Sequence, residues 1–307
     1  MIKKTLCFSN PAYLSLKNNQ LVIQLLNAPE QGDTDMLKTK TVPIEDLGVV
    51  ILDNRQITIT SGLISALLDN NCALITCDGK SLPTGLLLNL CGNTLQNERF
   101  RAQVDASLPL VKQMWQQTVA QKIYNQASVL SQCTDAEVAC MRIWSKQVKS
   151  GDPDNLEARA AAYYWKYLFP EEKDFTRSRE GGGPNVLLNY GYAILRATIA
   201  RALVGSGLLP TLGIHHHNKY NAYCLADDIM EPYRPYVDSY VVSLTKKYGE
   251  VAELTREHKA DLLQIPVLDV VLDGKRSPLM VAAGLTTASL SKCFEGKCRK
   301  ISYPVYD

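Results

Sequence analysis

The chain has 307 residues and a formal net charge of only +2, with hydrophobic residues at 46% and charged residues at 21%. Those proportions exclude a disordered, fibrous or strongly basic protein and leave room for two domains with their own cores. Any nucleic-acid-binding face must therefore be local, because phosphate neutralisation supplies most non-specific affinity and the whole-chain charge does not provide it.

The opening residues, MIKKTLCFSN, lack an apolar run of signal-peptide length, and no stretch approaches the ~20 apolar residues of a membrane span. The expectation is a cytoplasmic protein with no membrane association. Nine cysteines, an odd number with no secretory signal, point to reduced thiols. Cys293-x4-Cys298 is the one suggestive cluster, and without a second pair it reads as buried small apolar side chains rather than a zinc site.

The first ~85 residues carry β patterns. Ala12 to Leu16 and Gln20 to Leu25 are apolar-rich runs joined by the hairpin-like turn Lys17-Asn18-Asn19. Thr39 to Val42, Leu47 to Leu52 and Gln56 to Thr60 follow. Ser61 is positioned to cap a short helix through Leu68, and Cys72 to Cys77 reads as a buried strand. Beyond Cys91 the spacing turns helical over Phe100 to Leu130, Thr134 to Val148, Leu156 to Phe169 and Asn185 to Val204. Asp152-Pro153, Pro184 and Ser277-Pro278 place proline where a helix begins. These patterns predict an α+β protein: a small β-rich domain over residues 1–85, followed by a larger all-α domain over 86–307. The boundary falls around Gly79, Pro83 and Gly92.

Three of the four histidines are consecutive in Gly213-Ile214-His215-His216-His217-Asn218, a loop by its flanking residues. A few residues on, Asp228 and Glu231 share one helix face by their spacing, and Pro232 must end or kink that helix. Carboxylates at such a break, with one imidazole, suit a hard-cation site; the same spacing equally describes a charged helix end facing water. Glu157 falls within the apolar stripe of Ala160, Tyr164 and Leu168. A carboxylate there needs a partner or a metal. Asp154-x-x-Glu157 also has capping-box spacing, so the residues alone leave Glu157 open between ligand and cap.

Together these segments resemble the CRISPR-associated integrase family, the adaptation nuclease that inserts spacers into CRISPR arrays. The resemblance is carried by Gly213 to Asn218 with Leu225 to Pro235, by Asn185 to Leu195, by Asn155 to Ala161, and by Lys122 to Leu130. The wording of the acidic motif is most similar to versions from type II systems. The resemblance implies Glu157, His216 and Glu231 as catalytic metal ligands, with Asp228 binding or supporting the site, and Mg2+ or Mn2+ as the cation. His216 is selected over His215 and His217 as the third residue after Gly213. The resemblance also implies double-stranded DNA (a prespacer and a CRISPR repeat) as substrate. Its implied partners are a second copy joined through the β domain, a small ferredoxin-like CRISPR-associated protein and other type II CRISPR proteins.

Candidate phosphate-contacting cations are Lys173, Arg177, Arg179, Lys219 and Arg234. Gly181 to Gly183 follow no strand and so make no phosphate-cradling loop; they are expected to give a flexible approach to the helix that Pro184 begins. Two rival functions share this pattern. A stand-alone nuclease cutting branched DNA or RNA would use the same ligands with water as nucleophile. A non-catalytic DNA-binding scaffold would show no metal dependence.

Overall fold

A computed structural model describes residues 2–25, 39–79, 81–172, 175–249 and 251–307. Eight strands precede the helical region. β1 (Lys4–Phe8), β5 (Leu47–Leu52) and β7 (Ala73–Cys77) pair in parallel, and β8 (Pro83–Leu87) closes this sheet antiparallel in the order β1-β5-β7-β8. The second sheet, β4-β3-β2-β6, holds β2 (Ala12–Lys17), β3 (Gln20–Leu25), β4 (Lys40–Pro43) and β6 (Thr58–Ile59). The expected hairpin turn joins β2 to β3: Asn18 and Asn19 both take positive φ, the left-handed geometry that matches strand twist in a two-residue loop. The helix α1 (Ser61–Asp69) is capped by Thr60, whose side chain accepts from Leu63 N–H; Ser61, expected as the cap, is its first residue.

The first sheet is a wall between two cores. Val49, Ile51, Ala73 and Ile75 face the large helical core, whereas Val50 and Leu74 face a smaller core with Leu14, Leu21, Leu63 and Leu67. Successive strand residues point to opposite faces, so alternation along β5 and β7 serves both. Residues 1–85 therefore do not pack in isolation from the helices.

The helical region comprises α2 (Gln96–Val104), α3 (Leu108–Cys133), α4 (Ala139–Gln147), α5 (Leu156–Leu168), α6 (Pro184–Gly205), α7 (Cys224–Met230), α8 (Arg234–Tyr248), α9 (Arg256–Leu262) and α10 (Leu279–Phe294). Three expectations change here. The helix read over Phe100 to Leu130 is two, broken between Asp105 and Ser107, with Pro109 in the first turn of α3. The helix expected from Thr134 starts at Ala139. The region is also not all-α: β9 (Asp269–Leu272) and β10 (Lys275–Pro278) form an antiparallel hairpin before α10. β1 and β8 were not anticipated either. Pro184 does open α6, preceded by Gly183 at φ +58°. Among the described residues no helix is long and apolar enough to cross a membrane, and all nine cysteines are free thiols.

Candidate active site

Four elements meet around Glu231. The break expected at Pro232 is a 3-10 turn, Glu231–Tyr233, between α7 and α8. It packs on α3, where Asn125 donates to the carbonyls of Pro232 (2.7 Å) and Pro304 (3.0 Å) and accepts from Tyr306 N–H (3.1 Å). Asn125 thereby ties the middle of α3 to the acidic turn and to the C-terminal strand of chain. Lys122 lies one turn earlier on the same helix.

α5 supplies Glu157. Its start is capped from Asp152, which accepts the N–H of Leu156 (3.0 Å) and of Glu157 (2.9 Å). Of the two readings left open for Glu157, the capping box with Asp154 does not form: Asp152 caps the helix and Asp154 pairs with Lys149 at 2.7 Å. With Asp152 capping the helix, the Glu157 carboxylate is released to face α3, where it pairs with Lys122. The same ammonium reaches Glu231 Oε2 at 2.5 Å, while Arg234 Nε lies 2.9 Å from Glu231 Oε1. Burial opposes ionisation of Glu231, but Arg234 and Lys122 outweigh it and hold the carboxyl down at about 2.

The histidine loop is organised by Asp228, which is fully buried. Its carboxylate accepts the backbone N–H of Ile214 (2.7 Å), His215 (3.0 Å) and His216 (3.3 Å), and stands 2.5 Å from His216 Nδ1. Both Asp228 oxygens are thus committed behind the loop. The hydrogen bond to Asp228 raises the His216 pKa, against burial, which lowers it. His215 stacks flat on Trp115 of α3, with ring centroids 4.0 Å apart, and His216 meets the same indole edge-on. Gly213 is required at its position: a Cβ there would lie 2.4 Å from His216 O and 2.8 Å from Asp228 Oδ2.

The expected cations divide in two. Arg177 is held internally by Asn185 (3.1 Å) and Asn189 (2.7 Å) and stacks on Tyr192; Arg234 covers the same ring. Arg179 and Lys219 are exposed, and Lys173 lies outside the described residues. Beneath Tyr192, Asp238 accepts from the hydroxyls of Tyr192 and Tyr164; burial raises its pKa to about 7 despite these bonds.

Sequence reading missed Trp115, Lys122, Asn125 and Asp152 as site-building residues. One signal existed for Lys122: it is the only charged residue between Lys112 and Cys133 in a helix buried for much of its length.

Among the described residues no three His, Cys, Asp or Glu side chains converge as they stand into a metal-binding group. The donor chemistry nevertheless fits a hard divalent cation: two carboxylates and an imidazole whose Nδ1 is engaged, leaving Nε2 for coordination. Glu231 Oε2 is buried and paired with Lys122 Nζ at 2.5 Å, so its charge is already met by one cation.

A β-sheet wall carries a helical bundle in which two glutamates are held on one cation and a histidine is oriented by a buried carboxylate. Residues 6–259 match the family described as CRISPR associated protein Cas1. The CRISPR-associated endonuclease Cas1 of Neisseria meningitidis serogroup C (strain 8013) is 40% identical over 265 residues, covering 86% of this chain and 83% of that protein. The chain belongs to the Cas1 family. In fold it is similar to a casposase bound to integration product, with TM-score 0.79 at 20% identity, covering 100% of this chain and 95% of that one. It is also similar to a chain of a Cas6-RT-Cas1–Cas2 complex, with TM-score 0.72 at 18% identity, covering 97% of this chain and 35% of that one.

Proposed function

We propose that this chain is a metal-dependent DNA endonuclease and integrase that inserts short duplexes into a CRISPR array. The observation that carries the reading is the convergence of Glu157 and Glu231 on a single cation beside His216, in a chain of the Cas1 family. The Neisseria relative, named an endonuclease, supports the activity and favours a type II system. The casposase neighbour supports integration as the reaction.

Glu157, Glu231 and the Nε2 atom of His216 would hold the metal. When bound, Mg2+ or Mn2+ supplies Lewis-acid stabilisation of the phosphoryl and leaving oxygens. Asp228 fixes the imidazole so that Nδ1–H points inward and the Nε2 lone pair outward. Arg234 holds Glu231 ionised and in place. The attacking 3′-hydroxyl forms one P–O bond as the repeat-edge 3′-oxygen leaves by breaking another. The exchange therefore needs no external energy source. Arg179 and Lys219, both exposed, are the cations this reading assigns to phosphate.

The partners in this reading are double-stranded DNA, a second copy, and a small ferredoxin-like CRISPR-associated protein. The Cas1–Cas2 complex among the structural neighbours supports the last. A branched DNA mimicking a half-integrated intermediate tests the reading. Metal-dependent resealing, lost in His216→Ala, is the expected result; cleavage without rejoining would identify a plain nuclease. No reaction with the partner protein and either metal present would overturn the reading.

A further inference from the structure

We propose that Lys122 is the internal counter-cation of the acidic pair, and that a divalent metal binds only by displacing its ammonium. The inference rests on the metal-dependent reading above.

Lys122 Nζ is simultaneously paired with Glu157 Oε1 and, at 2.5 Å, with Glu231 Oε2. Those carboxylates come from α5 and from the 3-10 turn after α7, and nothing else among the described residues joins them to each other directly. A hard divalent cation held by these two carboxylates, with Mg2+–oxygen distances of about 2.0–2.1 Å, would compete with the nitrogen for the same space. An ammonium and a divalent cation at such separation also repel strongly in a low-dielectric setting. The two cations therefore compete for the same oxygens.

The site is assembled around that ammonium. Lys122 is almost wholly buried, so its four-carbon stem is packed and its charge is confined to this location. Its helix cannot drift, because Asn125, one turn on, is bonded to Pro232 O beside Glu231. The contact to Glu231 Oε2 is an ion pair and a side-chain hydrogen bond at once. The ammonium thus neutralises two carboxylates that would otherwise repel, and occupies the oxygens a harder cation would need. Arg234 stays on the other Glu231 oxygen, Oε1, and need not move. The physical consequence is a site whose metal affinity is reduced by its own lysine.

The test is Mn2+ binding by electron paramagnetic resonance titration of free ion, on the full-length wild type, Lys122→Met and Lys122→Gln, with thermal melts with and without Mn2+. The proposal expects both variants to bind Mn2+ at least about tenfold more tightly than wild type, since one adjacent positive charge is gone. It also expects their melting temperatures to be lowered without metal and recovered further by Mn2+ than that of wild type. Glutamine keeps a polar group between the carboxylates, so Lys122→Gln carries the test if the methionine variant does not fold. Equal or weaker binding in the variants, with wild type binding normally, would overturn the displacement idea and leave the metal-dependent reading intact. Absence of binding in wild type and variants alike would remove both.

Discussion

Asp228 Oδ1 lies 2.5 Å from His216 Nδ1, and the same carboxylate gathers the backbone N–H groups of residues 214, 215 and 216. One buried acid therefore sets both the path of the loop and the orientation of the imidazole. Asp228→Asn would keep the volume but lose charge and one acceptor. We expect metal affinity to fall about 10–100-fold, measured by Mn2+ titration, although no metal contact is assigned to Asp228 here. Unchanged affinity would reduce Asp228 to a loop anchor.

The same pair sets a pH dependence. The hydrogen bond to Asp228 holds His216 above its ordinary 6.5, and a protonated imidazole has no lone pair to offer a metal. Mn2+ affinity should weaken on acidification with a midpoint above 6.5, and Asp228→Asn should move that midpoint down. For the metal-free protein the sign is opposite. A raised histidine stabilises the fold fully below 6.5, and that contribution is lost as pH rises through the folded value.

Gly213→Ala should destabilise the protein by about 1–3 kcal/mol, because the added methyl meets backbone and the Asp228 carboxylate rather than a yielding side-chain tip. Chemical denaturation measures the stability loss. Mn2+ binding should fall along with it, since the clash displaces the loop that carries His216.

Asp238 supplies a separate test. Burial raises its pKa to about 7 from 3.8, so the folded state holds a proton that the unfolded state has released. Stability from this group is present at low pH and is lost as pH rises from about 4 through about 7. Asp238→Asn, melted across that range, should show a flatter profile than wild type. An identical profile would mean that Asp238 is ionised in the fold.

Asn125→Ala removes donors from two buried carbonyls and the acceptor of Tyr306 N–H. A loss of about 1–3 kcal/mol is expected by denaturant titration, since buried groups are left unpaired. Strand transfer should decline with it, because α3 is then free to shift against Glu231.

Much of the layout was legible locally. Asn18-Asn19 forecast the hairpin because few residues take left-handed geometry cheaply, and Pro184 forecast the start of α6. Pro232 forecast the break between α7 and α8, since its ring stops regular helix propagation. The histidine and acidic segments lie close in sequence, so the His216–Asp228 partnership was within reach of a motif reading. In each case the deciding force acts over a few bonds, and a pattern of residue types records it.

The rest depended on packing. The choice between Asp152 and Asp154 as the cap of α5 rested on which carboxylate the preceding turn aims inward; Asn155 in left-handed geometry selects Asp152. The pairing of β1 with β5 crosses most of the N-terminal region and leaves no local period to read. Lys122 meets Glu157 across 35 residues and Glu231 from a third element, and spacing carries no trace of either contact. The sequence by itself determined which residues carry charge and where the backbone turns. Only the tertiary structure decided which charges neutralise one another, because Coulomb energy depends on separation and burial in space rather than on position along the chain.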